Sequence, residues 1–299
     1  MEQFQVAISS GEILKGCFWP KENAKGNLTI QTGMNEHASR YDEFARYFNE
    51  QGFNVYCLDS FGQGENAESV EDLEKWPEHG FFKNVEGIAK MIEKAKENGL
   101  PTTHMGHSMG SFMTQYLIEK YPLITDKIII CGSNGGQGLL MSAAKLLAKI
   151  TVGKKKWDKP AKFMNNLGLG PYTKAIKDRK TDLDWLSYNE ENVQKYVADP
   201  YCGATNTGGF WRGFTEGMAV IWKKKNLKNI SLDQKILIIA GAEDPVGQNG
   251  KGPKWLEKTY KSLGVKDVTL ILYENMRHEI HNENGKEVVL EDILAFLEK

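Results

Sequence analysis

Gly106-His107-Ser108-Met109-Gly110 sets a serine between two glycines in the spacing G-x-S-x-G. That arrangement suits a turn too sharp for side chains on its flanks. Such a turn joins a strand to a helix and lifts the serine oxygen above the sheet as an exposed nucleophile. Pro101–Gly106 is the expected strand, although Thr102-Thr103-His104 is unusually polar for a central one. Ser111–Tyr121 is the expected helix, stopped by Pro122. Gly106 and Gly110 are then the supporting residues of the turn.

Outward from this point, strands and helices take turns. Phe4–Ile8 and Ile13–Trp19 read as an antiparallel hairpin around Ser9-Ser10-Gly11-Glu12. Further strands are expected at Leu28–Gln31, Asn54–Leu58, Lys127–Cys131, Lys235–Ala240 and Val268–Tyr273. Helices are expected at Glu36–Gln51, Asn84–Asn98, about 250–263 and 285–298. Strands separated by helical segments imply an α/β fold, a largely parallel sheet with helices on both faces.

Residues 134–230 break the rhythm. They are helical or irregular, and a structureless loop of that length does not fit inside a compact domain. They are therefore expected to form an inserted cap subdomain, with 1–133 and 231–299 as the core. The glycine-rich Gly132-Ser133-Asn134-Gly135-Gly136 reads as the hinge into it. Gly138–Ile150 reads as an amphipathic helix, with Leu139, Leu140, Ala143, Leu146, Leu147 and Ile150 on one face and Lys145 and Lys149 on the other. Such a face either packs on its own domain or rests on a membrane surface. The lysine runs 154–156 and 223–225 read as solvated surface.

The 299 residues, 40% hydrophobic and 10% aromatic, can fill a sizeable core, which excludes a disordered or fibrous chain. A net charge of −1 gives no reason to expect nucleic acid as a partner. There is no secretory signal pattern at the start and no apolar run of bilayer-spanning length. Four scattered cysteines with no C-x-x-C pair fit a reducing, cytoplasmic setting, with Cys57 and Cys131 as buried strand thiols.

A neutral serine is a poor nucleophile. It needs a histidine to take its proton and an acid to hold the imidazole in the right tautomer. Downstream, 236–240 is an apolar strand running into Gly241-Ala242-Glu243-Asp244-Pro245, and Asp244 is the expected acid, with Glu243 the adjacent alternative. A later strand ends at Arg277-His278, which makes His278 the expected base, with His281 as its rival. His278 and His281 stand three apart in an expected loop, which does not match the four-residue helical spacing of a zinc motif; no metal and no cofactor are expected. His107 is expected to pack beside the turn, and His37 and His79 to be surface or structural residues. Two backbone donors must hold the developing oxyanion: the Met109 N–H after the serine, and the Met34 N–H in Gln31-Thr32-Gly33-Met34-Asn35, where Gly33 lets the backbone approach substrate.

With these residues in place, the chain resembles the α/β-hydrolase group of monoglyceride lipases, lysophospholipases and serine aminopeptidase-like hydrolases. The matching stretches are Thr32–Tyr41, Leu58–Gly64, Gly106–Gly110, Gly241–Val246 and Arg277–Ile280, with family-like phrases at Asp182–Ser187 and Asp199–Gly203. Three positions depart from the family pattern: Thr32 and Gln63 stand where histidines are usual, and Ser111 where a glycine is common. The resemblance implies an α/β-hydrolase fold with a cap over the site. It also implies a serine hydrolase cleaving carboxylic esters of monoacylglycerol or lysophospholipid type, whose partners are ester or lipid substrates and, through the cap, a membrane surface. Another small ester, a thioester or a peptide remains open as substrate, and so does a non-catalytic binding role for the fold.

Overall fold

The computed structural model describes all 299 residues. Its centre is an eight-stranded sheet in the order β1-β2-β4-β3-β5-β6-β7-β8. The strands are β1 (Glu2–Ala7), β2 (Ile13–Trp19), β3 (Gly26–Gln31), β4 (Phe53–Leu58), β5 (Thr102–His107), β6 (Lys127–Cys131), β7 (Lys235–Gly241) and β8 (Asp267–Tyr273). The β1–β2 hairpin is antiparallel, and so is the β2–β4 pair; every pair from β4 to β8 is parallel. This is the α/β-hydrolase fold that the sequence implied.

Flanking the sheet are α1 (Asp42–Glu50), α2 (Gly80–Lys96) and α3 (Met109–Lys120). Six helices lie between β6 and β7: α4 (Gly138–Thr151), α5 (Lys162–Gly168), α6 (Gly170–Ala175), α7 (Glu190–Ala198), α8 (Gly208–Met218) and α9 (Lys224–Leu227). Then α10 (Lys251–Leu263) and α11 (Glu287–Glu298) close the order. None of these helices is long and apolar enough to cross a membrane.

Strand periodicity explains the two layers. In β6 and β7, Ile128, Ile130, Ile236 and Ile238 face α3 and α10, whereas Ile129, Leu237 and Ile239 join α1 and α11 on the opposite side. Each such aliphatic side chain contributes about 1.5–3 kcal/mol on burial. Strands covered on both faces read as unbroken apolar runs.

The exception is β5, which is a true central strand despite its polar sequence. His104 is buried between two threonines, with Nδ1 3.0 Å from Thr29 Oγ1 on β3 and Nε2 3.0 Å from Thr114 Oγ1 on α3. Burial brings this imidazole down to about 3, so it is neutral and can serve one threonine as donor and the other as acceptor. Thr114 in turn donates to Gly110 O at 2.8 Å. The polar side chains of β5 therefore tie the sheet to the start of α3.

Two expectations need correcting, and one left open is decided. Glu36 does not begin a helix: its carboxylate folds back onto the Gly33 N–H, His37 is extended, and a 3-10 turn at Ala38–Tyr41 precedes α1. α2 starts four residues early, at Gly80, because Trp76 packs where a side chain at Gly80 would lie and Phe81 is buried. The apolar face read on α4 is turned to solvent. Leu139, Leu140, Leu146 and Ile150 are 91%, 60%, 60% and 72% exposed, while Ala148 is buried and Lys145 points to Glu216 of α8. The helix docks through Ala148 together with the partly buried Met141 and Leu147, and Arg212 of α8 donates to Val152 O at its end.

Candidate active site

Ser108 sits at the junction of β5 and α3 with φ 52 and ψ −118. A non-glycine residue in this region carries about 1–3 kcal/mol of strain, which the surroundings must offset. Its N–H donates to Cys131 O at 3.0 Å, and Ser111 Oγ returns to Ser108 O at 2.5 Å. Space for the turn depends on glycine. A Cβ at Gly106 would stand 2.4 Å from Gly110 O, and one at Gly110 would stand 2.4 Å from Gln31 O.

Asp244 and His278 come from the ends of β7 and β8 and meet. Asp244 Oδ2 is 3.0 Å from His278 Nδ1, and Asp244 Oδ1 accepts from Val246 N at 2.8 Å. Both residues are buried. Burial pulls the His278 imidazole down, but the Asp244 carboxylate outweighs it, so the ring sits above its ordinary value. His278 Nε2 is buried and has no hydrogen-bond partner in the protein. The absent side chain of Gly132 leaves room for this ring, since a Cβ there would be 3.2 Å from His278 Cε1. Trp185 covers the ring with centroids 5.2 Å apart.

The rivals are placed elsewhere. Glu243 accepts from Tyr188 Oη at 2.5 Å. His281 stacks on Tyr41 with ring centroids 5.2 Å apart, and burial brings it down to about 3. His107 is buried with Nδ1 3.1 Å from both Glu36 Oε1 and Tyr41 Oη. His37 and His79 lie toward the surface, paired with Asp199 at 2.8 Å and Glu216 at 3.0 Å.

Ser108, His278, Met34 and Met109 all line one cavity of about 840 Å³. Met109 is the first residue of α3, so its N–H has no helical carbonyl to bond, and the Met34 N–H makes no backbone hydrogen bond. Gly33 brings the two loops together: a Cβ there would lie 3.0 Å from Ser108 Cβ. The remaining wall is largely apolar and includes Leu140, Leu147, Met164, Phe214 and Met218.

A polar group that the sequence reading did not single out lies beneath. Glu36 accepts from Gly33 N at 2.5 Å, Tyr41 Oη at 2.9 Å and Arg40 at 2.6 Å. Arg40 also forks onto Glu279 at 3.0 and 3.1 Å. Burial alone would raise the Glu36 carboxyl, but its hydrogen bond to His107 and the charge of Arg40 outweigh that and hold it at about 2. The signal available in sequence was the Glu36–Arg40 spacing, four residues apart beside the expected oxyanion loop.

The chain is similar to a monoacylglycerol lipase from Mycolicibacterium smegmatis, 25% identical over 98% of this chain and 95% of that one. It is also similar to the human monoglyceride lipase, 24% identical over 92% and 82% of the two chains. In fold it matches a thermostable carboxyl esterase from Bacillus coagulans with a TM-score of 0.88, 24% identity and coverage of 99% and 98%. The family model described as serine aminopeptidase, S33, matches residues 22–285. The chain belongs to this S33 serine aminopeptidase family of α/β-hydrolases.

Proposed function

We propose that this protein is a serine hydrolase that cleaves carboxylic esters through an acyl-enzyme, with Ser108 as nucleophile, His278 as base and Asp244 as its orienting acid. The observation that carries the reading is the buried Asp244–His278 bond at 3.0 Å, with His278 and Ser108 lining one cavity and His278 Nε2 left unpartnered. In the first step Ser108 Oγ attacks the ester carbonyl carbon and its proton passes to His278 Nε2. The negative charge on the carbonyl oxygen is met by the Met34 and Met109 N–H groups. Collapse breaks the ester C–O bond, and His278 gives its proton to the departing alcohol. Water then repeats the sequence, releasing the acid and restoring Ser108. The steps balance with substrate, one water and these side chains.

Residues 134–230 are proposed as the cap over this site. Support for a monoacylglycerol or lysophospholipid substrate comes from the apolar wall, from the leucines that α4 keeps in water, and from relatives that bear lipase names. The same leucines support brief contact with a membrane surface. Four unpaired cysteines support a reducing, cytoplasmic setting.

Ser108→Ala tests the assignment. It is expected to lower turnover of a short p-nitrophenyl ester by about 10⁶-fold and to abolish labelling by a fluorophosphonate probe. Unchanged turnover would exclude Ser108 as nucleophile, and a folded wild-type protein that neither labels nor turns over esters would favour a binding role.

A further inference from the structure

We propose that the segment Tyr196–Asn206, at the far end of α7 and beyond, is a positioning element for the oxyanion loop, acting chiefly through the carbonyl of Asn35. The inference rests on the assignment of the Met34 N–H as an oxyanion donor.

Asn35 follows Met34 and holds a left-handed backbone, φ 60. Its carbonyl accepts two hydrogen bonds from this segment, one from Tyr196 Oη at 2.7 Å and one from Gly203 N at 3.0 Å. Neighbouring contacts reinforce the grip. Asn206, fully buried, places Nδ2 3.3 Å from Met34 Sδ, and Asp199 pairs with His37 at 2.8 Å. The Arg40 guanidinium lies over the Tyr196 ring at 4.7 Å. On the opposite side the core holds the same loop through Glu36, which accepts from Gly33 N. Glu36 orients Gly33, and Tyr196 with Gly203 orients the Asn35 peptide group; Met34 lies between these two anchors.

The physical consequence follows from how oxyanion donors work. A donor must lie within a few tenths of an ångström of the developing oxygen before reaction begins, because it gains nothing if it has to reorganise during the step. A left-handed Asn35 held only by its own turn would be free to swing, and the Met34 N–H would swing with it. Tyr196 and Gly203 remove that freedom. The helical segment between β6 and β7 then does more than cover the cavity: part of it completes the catalytic geometry.

Tyr196→Phe tests this, because it deletes one oxygen and keeps the ring over Arg40. Kinetics on p-nitrophenyl butyrate, normalised by active-site titration, are expected to show kcat lowered ~10-fold, less than loss of a whole donor would cost, with KM within about twofold. The Ki of a trifluoromethyl ketone, to whose carbonyl carbon Ser108 Oγ adds to give a hemiketal with its oxyanion between the donors, should rise by the same factor as kcat/KM falls. Gln194→Ala, an exposed change on the same helix outside this segment, should leave all three constants unchanged and controls for general damage to α7. Three outcomes would overturn the proposal: unaltered kcat, a raised KM at constant kcat, or a lowered kcat with no change in Ki. The first would mean that the loop holds itself, the second that Tyr196 binds substrate, and the third that it acts elsewhere. Retention of turnover by Ser108→Ala would instead remove the underlying assignment, so the two failures are separable.

Discussion

Thr32 Oγ1 donates to Gln63 Oε1 across 3.4 Å, so two of the positions that depart from the family pattern are neighbours in space. The contact continues inward, with Gln63 Nε2 donating to Glu74 Oε1 at 3.1 Å. Two departures that looked independent in the sequence share one hydrogen-bonded contact behind the Gly33-Met34 loop. Thr32→Val and Gln63→Ala should each destabilise by about 1 kcal/mol, and the double variant by less than the sum. Urea titration of the four proteins measures the coupling, and strict additivity would show the contact to be idle.

Glu74 at the end of that chain is buried and pushed up to about 8. Its folded-state value lies above that of the unfolded carboxyl, so the neutral acid favours the fold at low pH. That advantage is lost as pH rises through about 8. Glu74→Gln should therefore be nearly neutral at pH 4, where the carboxyl is protonated in both states, and stabilising by roughly a few kcal/mol at pH 9. Melting curves at the two pH values decide it; equal shifts at both would show that Glu74 does not titrate there.

His278 makes opposite demands on rate and stability. Its value is raised by Asp244, so acidification protonates the base, and kcat/KM should fall as pH drops through that raised value. Folding stability runs the other way: the charged pair favours the fold at low pH and its contribution is lost as pH rises through the folded-state value. Asp244→Asn should lower kcat about 10⁴-fold and shift the acidic limb of the rate profile downward. A limb that stays in place would assign the titration to another group.

Gly110 has no room for a side chain. An added Cβ would meet Gln31 O at 2.4 Å and Thr32 O at 2.7 Å, both backbone atoms just before Gly33. Gly110→Ala should cost about 1–3 kcal/mol in stability and on the order of 10² in kcat by driving the two proposed oxyanion donors, Met34 and Met109, apart. A variant with reduced stability and full kcat would show that the loop can follow the displacement.

The exposed face of α4 predicts binding to vesicles. Leu146→Glu should reduce co-sedimentation with phosphatidylglycerol-containing vesicles at least severalfold while leaving hydrolysis of a soluble ester intact. Equal sedimentation of the two proteins would remove α4 as the contact.

The strands of the parallel sheet and the meeting of Asp244 with His278 were legible because parallel strands buried on both faces must be apolar, and their ends are marked by Gly241 and by Arg277-His278. The start of α1 was not legible, because Glu36 spends its side chain on a backbone amide instead of opening a helix. The direction of the α4 leucines was left open for a related reason. Amphipathic spacing identifies a stripe but not the direction in which tertiary packing turns it, and here Ala148 and Arg212 decided that. Tyr196 and Gly203 lie more than 150 residues from Asn35 in sequence, and no local pattern announces a long-range bond to a single carbonyl.

The leucine stripe of α4 also bears on how the protein behaves in a tube. Four large aliphatic side chains held in water have a standing preference for any surface that removes them from it, including the same stripe on another copy. Apparent size in detergent-free buffer should then depend on concentration, and micelles should disperse the associated form. Rates taken in plain buffer and rates taken over micelles would describe two different physical states of one chain.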